Sequence, residues 1–374
     1  MERRYDIDWL RVLAFALLII YHTGMFFVPW GWHIKNPETY EWLKGPMLFM
    51  NRWRMPLLFI ISGMGTSFSL GKRSPATFSA ERIKMLLIPL IFGMIMITPA
   101  QVYAERVVNG EFHGSYLEFW STVAFRGVYP EGNLTWHHLW FLPYILLFSL
   151  ALLPLFLWIR KRPQNGFMRL VNRLAASPVL IYWFILPLVL LEVFVDPFFP
   201  VTHALIDDWF YLPYNAFLFF YGFLLIQVRE SFWATLAKGQ KTFLITGLLA
   251  YSLFLIIRAN FEDGIARHII EAIINQTSVW SWLLLWFSLS ARYLNRKSKA
   301  IAYWNRAVYP FYILHQTVII LLAWWLIDTP WGLAPKFILI SVGTFLICWA
   351  LYEFIIKRIK ILRLLMGTRE ARKE

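Results

Sequence analysis

Two ionisable side chains, Arg11 and His22, stand eleven residues apart in the first long apolar stretch, Asp8-Trp-Leu-Arg-Val-Leu-Ala-Phe-Ala-Leu-Leu-Ile-Ile-Tyr-His22. At about 100° per residue a helix carries both on nearly the same face, roughly 16 Å apart along its axis. Imidazole, with an ordinary pKa of about 6.5, can take and return a proton near neutrality, as activation of a hydroxyl nucleophile requires. Guanidinium presents forked donors that suit phosphate or carboxylate. Ionisable groups within a membrane span are costly unless they face other helices or a wet cavity. His22 is therefore expected to act as a general base, with Arg11 as an anion contact on its cytoplasmic side. Taken singly, each has a plainer reading: a neutral histidine hydrogen-bonded among helices, and an arginine snorkelling to headgroups.

Other residues could join them. Arg52 and Arg54, in Arg52-Trp-Arg54-Met-Pro-Leu-Leu-Phe-Ile-Ile-Ser62-Gly63, enter a second apolar stretch from the side that normally carries few basic residues. Ser62 and Gly63 suit close helix packing. Lys72, Arg73, Arg82 and Lys84 form a basic collar able to hold a phosphorylated donor. His315-Gln316-Thr317 implies a polar surface in an otherwise apolar stretch, by catalysis or interhelical bonding. His137 and His138 are consecutive, which makes a poor metal site, and with no His-Glu-x-x-His pattern no metal is expected. Trp30, Trp32, Trp136 and Trp140 read as an interfacial aromatic belt, some of which could stack on sugars.

The elements that must position these groups are membrane helices. Of 374 residues, 59% are hydrophobic and 19% aromatic, and the mean hydropathy is +0.54, which exclude a soluble domain. Ten spans are expected, near 9–29, 46–70, 85–104, 139–159, 179–199, 211–227, 242–257, 274–291, 308–327 and 335–356. With both termini cytoplasmic, 26 of the 36 Lys and Arg residues fall inside and nine outside, Arg11 lying in the membrane. The net charge of +14 is then an orientation signal and an attraction to anionic headgroups, needing no nucleic acid partner. Cys348 is the sole cysteine, so neither an intramolecular disulfide nor a thiolate cluster is available. The N-terminal segment reads as an uncleaved first helix rather than a signal peptide. The outer loop near 105–138 is long enough for short capping elements and contains a glycosylation triplet at Asn133.

These residues resemble acyltransferase family 3, a family of membrane acyltransferases, and within it the branch of the periplasmic glucan succinyltransferases. The resemblance covers essentially the whole chain as one membrane-embedded domain, 1–374. Its most specific element is the spacing of Asp8, Arg11 and His22. Trp32-His33-Ile-Lys-Asn36, Arg54-Met-Pro-Leu-Leu-Phe-Ile-Ile-Ser62-Gly63, Leu139-Trp140-Phe-Leu142 and Tyr309-Pro-Phe-Tyr-Ile-Leu-His315-Gln-Thr-Val318 support it. Related sequences often carry Arg-x-x-Arg before a proline; here Arg82 is followed by Met85, with Lys84 beside it.

The resemblance implies transfer of an acyl group, succinyl or acetyl, from cytoplasmic acyl-CoA to a hydroxyl of an extracytoplasmic glycan or glycolipid in a bacterial inner membrane. No permanently bound cofactor is implied. Arg11, Arg82, Lys84, Lys72 and Arg73 would contact the donor. Arg54, Arg52, His33, Trp140, His315 and Asp8 would contact the substrates. The competing class is a transporter or flippase using the same polar interior without acyl transfer.

Overall fold

The computed structural model describes residues 3–368. The basic residues Arg369, Arg372 and Lys373, counted above in the inner C-terminal segment, lie outside the described residues. Among those described there is no β-strand, only an isolated bridge between Val128 and Leu134. The α-helices are, in chain order, α1 Tyr5–Phe27, α2 Lys44–Leu70, α3 Pro75–Met96, α4 Thr98–Val108, α5 Tyr116–Thr122, α6 Phe141–Ala151, α7 Leu153–Lys161, α8 Gly166–Ala175, α9 Leu186–Phe194, α10 Tyr211–Gln227, α11 Arg229–Asn260, α12 Ile265–Tyr293, α13 Lys299–Leu326, α14 Leu333–Ala350 and α15 Lys360–Leu365.

Each of the ten expected spans falls on helix. By length and apolarity six helical stretches can cross a membrane: Tyr5–Phe27, Pro75–Val108, Leu180–Phe198, Arg229–Asn260, Lys299–Leu326 and Leu333–Ile356. His137–Ala151 with Leu153–Lys161, bent by 46°, makes a seventh if counted as one span. The remaining three are less apolar or shorter. α10 has 17 residues, α2 carries Arg52 and Arg54, and the first half of α12 carries Arg267, His268, Glu271, Asn275 and Gln276. The lipid-facing side is clearest on α11, where Leu244, Ile245, Leu248, Leu249, Leu253 and Ile256 are all exposed. In hydrocarbon such a surface is stable because the helix satisfies its own backbone groups.

The chain forms two compact units: one of Met1–Arg11, Arg52–Ala80 and Tyr144–Ser298, the other of Val12–Asn51, Glu81–Pro143 and Lys299–Glu374. In the first, α11 packs along α12 as an antiparallel hairpin. There α2 and α10 cross backbone to backbone at glycines. A Cβ built on Gly63 would lie 1.8 Å from the Phe219 carbonyl oxygen, and one on Gly222 would lie 2.0 Å from that of Ile60. Only the missing side chains permit that approach.

In the second unit α13 packs against α14 and α4. A hydrophobic core surrounds the C-terminal end of α1, with Ile19, Phe26, Phe27 and Val28 against Ile319, Ile320 and Ala323 of α13 and Ile340 of α14. α1 ends at Phe27, just before Pro29. The orphan carbonyls there are partly satisfied by Lys35, whose amine donates to the Met25 oxygen at 2.5 Å and to that of Val28. The loop before His137 holds α5, started by Ser115, whose side chain accepts from the Glu118 amide at 3.3 Å.

A stacked histidine pair as the candidate active site

α1 is continuous from Tyr5 to Phe27, so Arg11 and His22 share a helical face. Phe15 lies seven residues before His22, hence also on this side. It packs edge-to-face on Tyr312 of α13 at 5.2 Å between ring centroids. Two turns on, His22 meets His315, which follows Tyr312 by three residues. Their rings stack with centroids 5.1 Å apart, and His22 Nδ1 lies 2.9 Å from His315 Nε2. His315 is 1% exposed, while His22 is partly exposed.

Hydrogen-bond partners determine the tautomers of the neutral pair. His315 Nδ1 is 2.7 Å from the Tyr312 carbonyl and 3.2 Å from that of Phe311, oxygens that only accept, so Nδ1 carries the proton. Nε2 of His315 is then an acceptor, and His22 must donate to it from Nδ1. The basic nitrogen of His22 is consequently Nε2. On protonation of Nε2 the imidazolium keeps its Nδ1 hydrogen bond to the neutral His315 ring.

A second polar cluster lies in the same unit. His138, on the 3-10 turn His137–Trp140, packs edge-on to His315 at 5.1 Å. Its Nε2 donates to the Ile313 carbonyl at 3.1 Å, leaving Nδ1 to accept from Gln101 Nε2 at 3.3 Å. Gln101 also donates to Thr317 Oγ1 at 2.6 Å, and Gln316 Nε2 bonds both Gln101 Oε1 and His33 Nε2 at 3.1 Å. His33 Nδ1 completes the chain on Glu105 Oε2 at 2.6 Å, and Tyr129 donates to Glu105 Oε1 at 3.0 Å. Burial first, and then the Glu105 carboxylate, hold the Tyr129 phenol well above the ordinary tyrosine range.

The other expected site residues are placed as follows. Asp8 bridges Arg3, at 2.9 Å, and Arg11, at 3.5 Å. Arg11 lies beside Gly65 of α2. Arg52 stacks over Phe254 at 3.7 Å and donates to Asn275, whose amide in turn donates to the buried Glu192 carboxylate at 2.6 Å. Its charge is thus partly answered within the protein. Arg54 is 4% exposed. Trp140 ends the 3-10 turn and packs edge-on to Phe141. Lys72 is exposed and Arg73 bonds Ser69 at 3.1 Å, both in the first unit, whereas Arg82 and the exposed Lys84 belong to the second. Among the described residues no group of His, Cys, Asp and Glu is arranged to hold a metal ion.

Sequence reasoning missed Glu105 and Gln101. Both lie on α4, four residues apart, and Gln101 interrupts an apolar stretch, a signal of the same kind that singled out His22. His138 was noticed only as a doubtful metal ligand, and its place beside His315 depends on a 177-residue separation that no local pattern encodes.

Among the described residues the fold is all-helical, with several helices long and apolar enough to cross a membrane, which defines a polytopic membrane protein that holds a stacked, mutually oriented histidine pair. The chain belongs to the acyltransferase family, whose domain matches residues 4–353, and it is an acyl-transferring enzyme. It is similar to the glucans biosynthesis protein C of Salmonella schwarzengrund and of Salmonella typhi, in each case 23% identical over 327 residues, or 84% of this chain and 82% of the relative. No solved structure matches it.

Proposed function

We propose that this enzyme moves a succinyl or acetyl group from cytoplasmic acyl-CoA to a hydroxyl of an extracytoplasmic glycan, with His22 as general base. The observation that carries this reading is the relay from the Tyr312 carbonyl through His315 to His22, which makes His22 Nε2 the basic nitrogen. In the reaction Nε2 takes the acceptor's hydroxyl proton as that oxygen attacks the thioester carbonyl. The tetrahedral intermediate then expels the CoA thiolate, to which His22 returns the proton. His315 touches neither substrate; it orients His22 and keeps its Nδ1 hydrogen-bonded while the ring is cationic. No acyl-enzyme is required, since the two substrates react directly.

The glucan named in the relatives supports a glycan acceptor. Ten spans with both ends inside place His22 in the outer half of the membrane. Contacts within the first unit support that topology. The inner-assigned segments meet one another through Tyr5 and Asn295, Arg4 and Trp233, Ser231 and Asn172, and Arg292 and Gln240. At the other end, Glu192, in the outer half of its span, meets His268 of an outer-assigned segment and Asn275 at the outer end of the following span. The entire chain acts as one membrane domain in a bacterial inner membrane. Arg82, Lys84, Lys72 and Arg73 are each assigned to contacts with the donor's diphosphate, and Arg11 to a contact along the donor's path. Arg54 and Arg52 favour an acyl group bearing a free carboxylate, and His33 and Trp140 face the acceptor. Incubating purified protein with radiolabelled succinyl-CoA or acetyl-CoA and periplasmic glucan tests this: acyl label in the glycan, with stoichiometric CoA release, is expected. CoA-independent passage of unmodified glycan would oppose it.

A further inference from the structure

Within the first unit a cleft of about 340 Å³ is lined by Arg3, Tyr5, Asn295 and Lys297. It joins the first turn of α1 to the segment after α12. The Tyr5 backbone amide donates to Asn295 Oδ1 at 3.1 Å, so that the NH2 group of this amide is left as a donor. Arg3 lies 5.3 Å from the Tyr5 ring centroid and forks onto one oxygen of Asp8, at 3.0 and 2.9 Å. The other Asp8 oxygen holds Arg11. Lys297 is exposed and makes no ion pair among the described residues. Of the four lining residues two are cations and none is an acid; Arg3 is paired with Asp8 and Lys297 with no acid among the described residues, so the lining retains positive charge.

We propose that this cleft is a nucleotide-phosphate site that receives the phosphorylated ribose end of the acyl donor, a role that rests on the acyl-CoA reading above. Two cations supply phosphate binding, the guanidinium by directed hydrogen bonds and the ammonium as a point charge. A phenol ring and an amide add stacking and donor contacts that a base and ribose can use and a lipid phosphate cannot. That combination favours a nucleotide over a headgroup. Asp8, gripping Arg3 with one oxygen and Arg11 with the other, ties the filled cleft to the arginine on the His22 face of α1.

The test uses the full chain in phosphatidylcholine nanodiscs with radiolabelled adenosine 3′,5′-bisphosphate as probe. Lys297→Glu is expected to weaken binding at least about tenfold, about 1.4 kcal/mol, and Lys297→Arg to retain it. Because Lys297 is exposed, both variants are expected to elute and melt like the parent protein. Equal binding by Lys297→Glu and the parent overturns the proposal. So does loss of parent binding when phosphatidylglycerol is added to the discs, which would make a lipid headgroup the occupant. Acyl-CoA consumption on the same preparations separates the two readings. Lys297-dependent binding without acyl-CoA consumption leaves the cleft standing and removes the acyl-CoA reaction; normal consumption with Lys297-independent binding does the reverse.

Discussion

His22 donates from Nδ1 to His315 Nε2 across 2.9 Å, and His315 donates from its own Nδ1 to the Tyr312 carbonyl at 2.7 Å. The direction of both bonds follows from a carbonyl that cannot donate, so the identity of the base nitrogen is set by backbone geometry on α13. His315→Ala removes the acceptor of the Nδ1 proton and frees the tautomer. A fall in kcat of about 10²-fold, with KM little changed, is expected, on the scale of general-base contributions. Steady-state kinetics with each substrate varied, together with the pH profile, check this. A purely structural role would change the melting temperature and leave the shape of the pH profile intact.

The crossing of α2 and α10 makes a stability prediction. Gly63→Ala puts a methyl 1.8 Å from the Phe219 carbonyl oxygen, and Gly222→Ala one 2.0 Å from that of Ile60. Both obstacles are backbone, so relief requires the helices to part. Either change is expected to cost about 1–3 kcal/mol or more, read as a lowered melting temperature in detergent. Gly45, which has open space around it, is the control position.

Glu105 accepts from His33 and Tyr129 at once. Glu105→Ala leaves two largely buried donors without that acceptor, each costing about 1–3 kcal/mol. A double-mutant cycle of His33→Ala and Glu105→Ala is expected to give a coupling of about 0.5–3 kcal/mol. Additive losses would show that the pair contributes nothing beyond its separate packing.

Lys35 supplies a pH dependence. Burial lowers its pKa from 10.5 to about 8 in the folded chain. Between those values the unfolded chain holds a proton that the folded chain has released, so stability rises with pH across the window. The melting temperature of the parent protein, measured against Lys35→Met, is therefore expected to climb from pH 7.5 to 10. A flat or falling difference contradicts the assignment.

Much of this architecture was legible in the residues. The ten expected apolar runs fall on helix, and six or seven helical stretches are long and apolar enough to cross a membrane, because lipid selects for length and composition and these are local properties. The apolar signal is weaker on α2 and α12, which carry Arg52 and Asn275, the residues that join Glu192 of α9 in a polar network. At the site, Arg11 and His22 were visible through helical spacing, and His315 as a polar intruder. That His315 orients His22 was not visible, since 293 residues separate them and only tertiary packing brings the rings together. Arg52 illustrates the reverse limit. Sequence marks it as a cation in an unusual place, but only the fold reveals Asn275 and Glu192 answering it.

The central claim is that His22 is the base, and the most direct measurement is acyl transfer by His22→Ala in the purified, membrane-reconstituted enzyme. The account predicts that transfer of label from acyl-CoA to glycan falls about 10²–10⁴-fold while elution, melting behaviour and binding of adenosine 3′,5′-bisphosphate match the parent. Transfer by His22→Ala at the parent rate would contradict it.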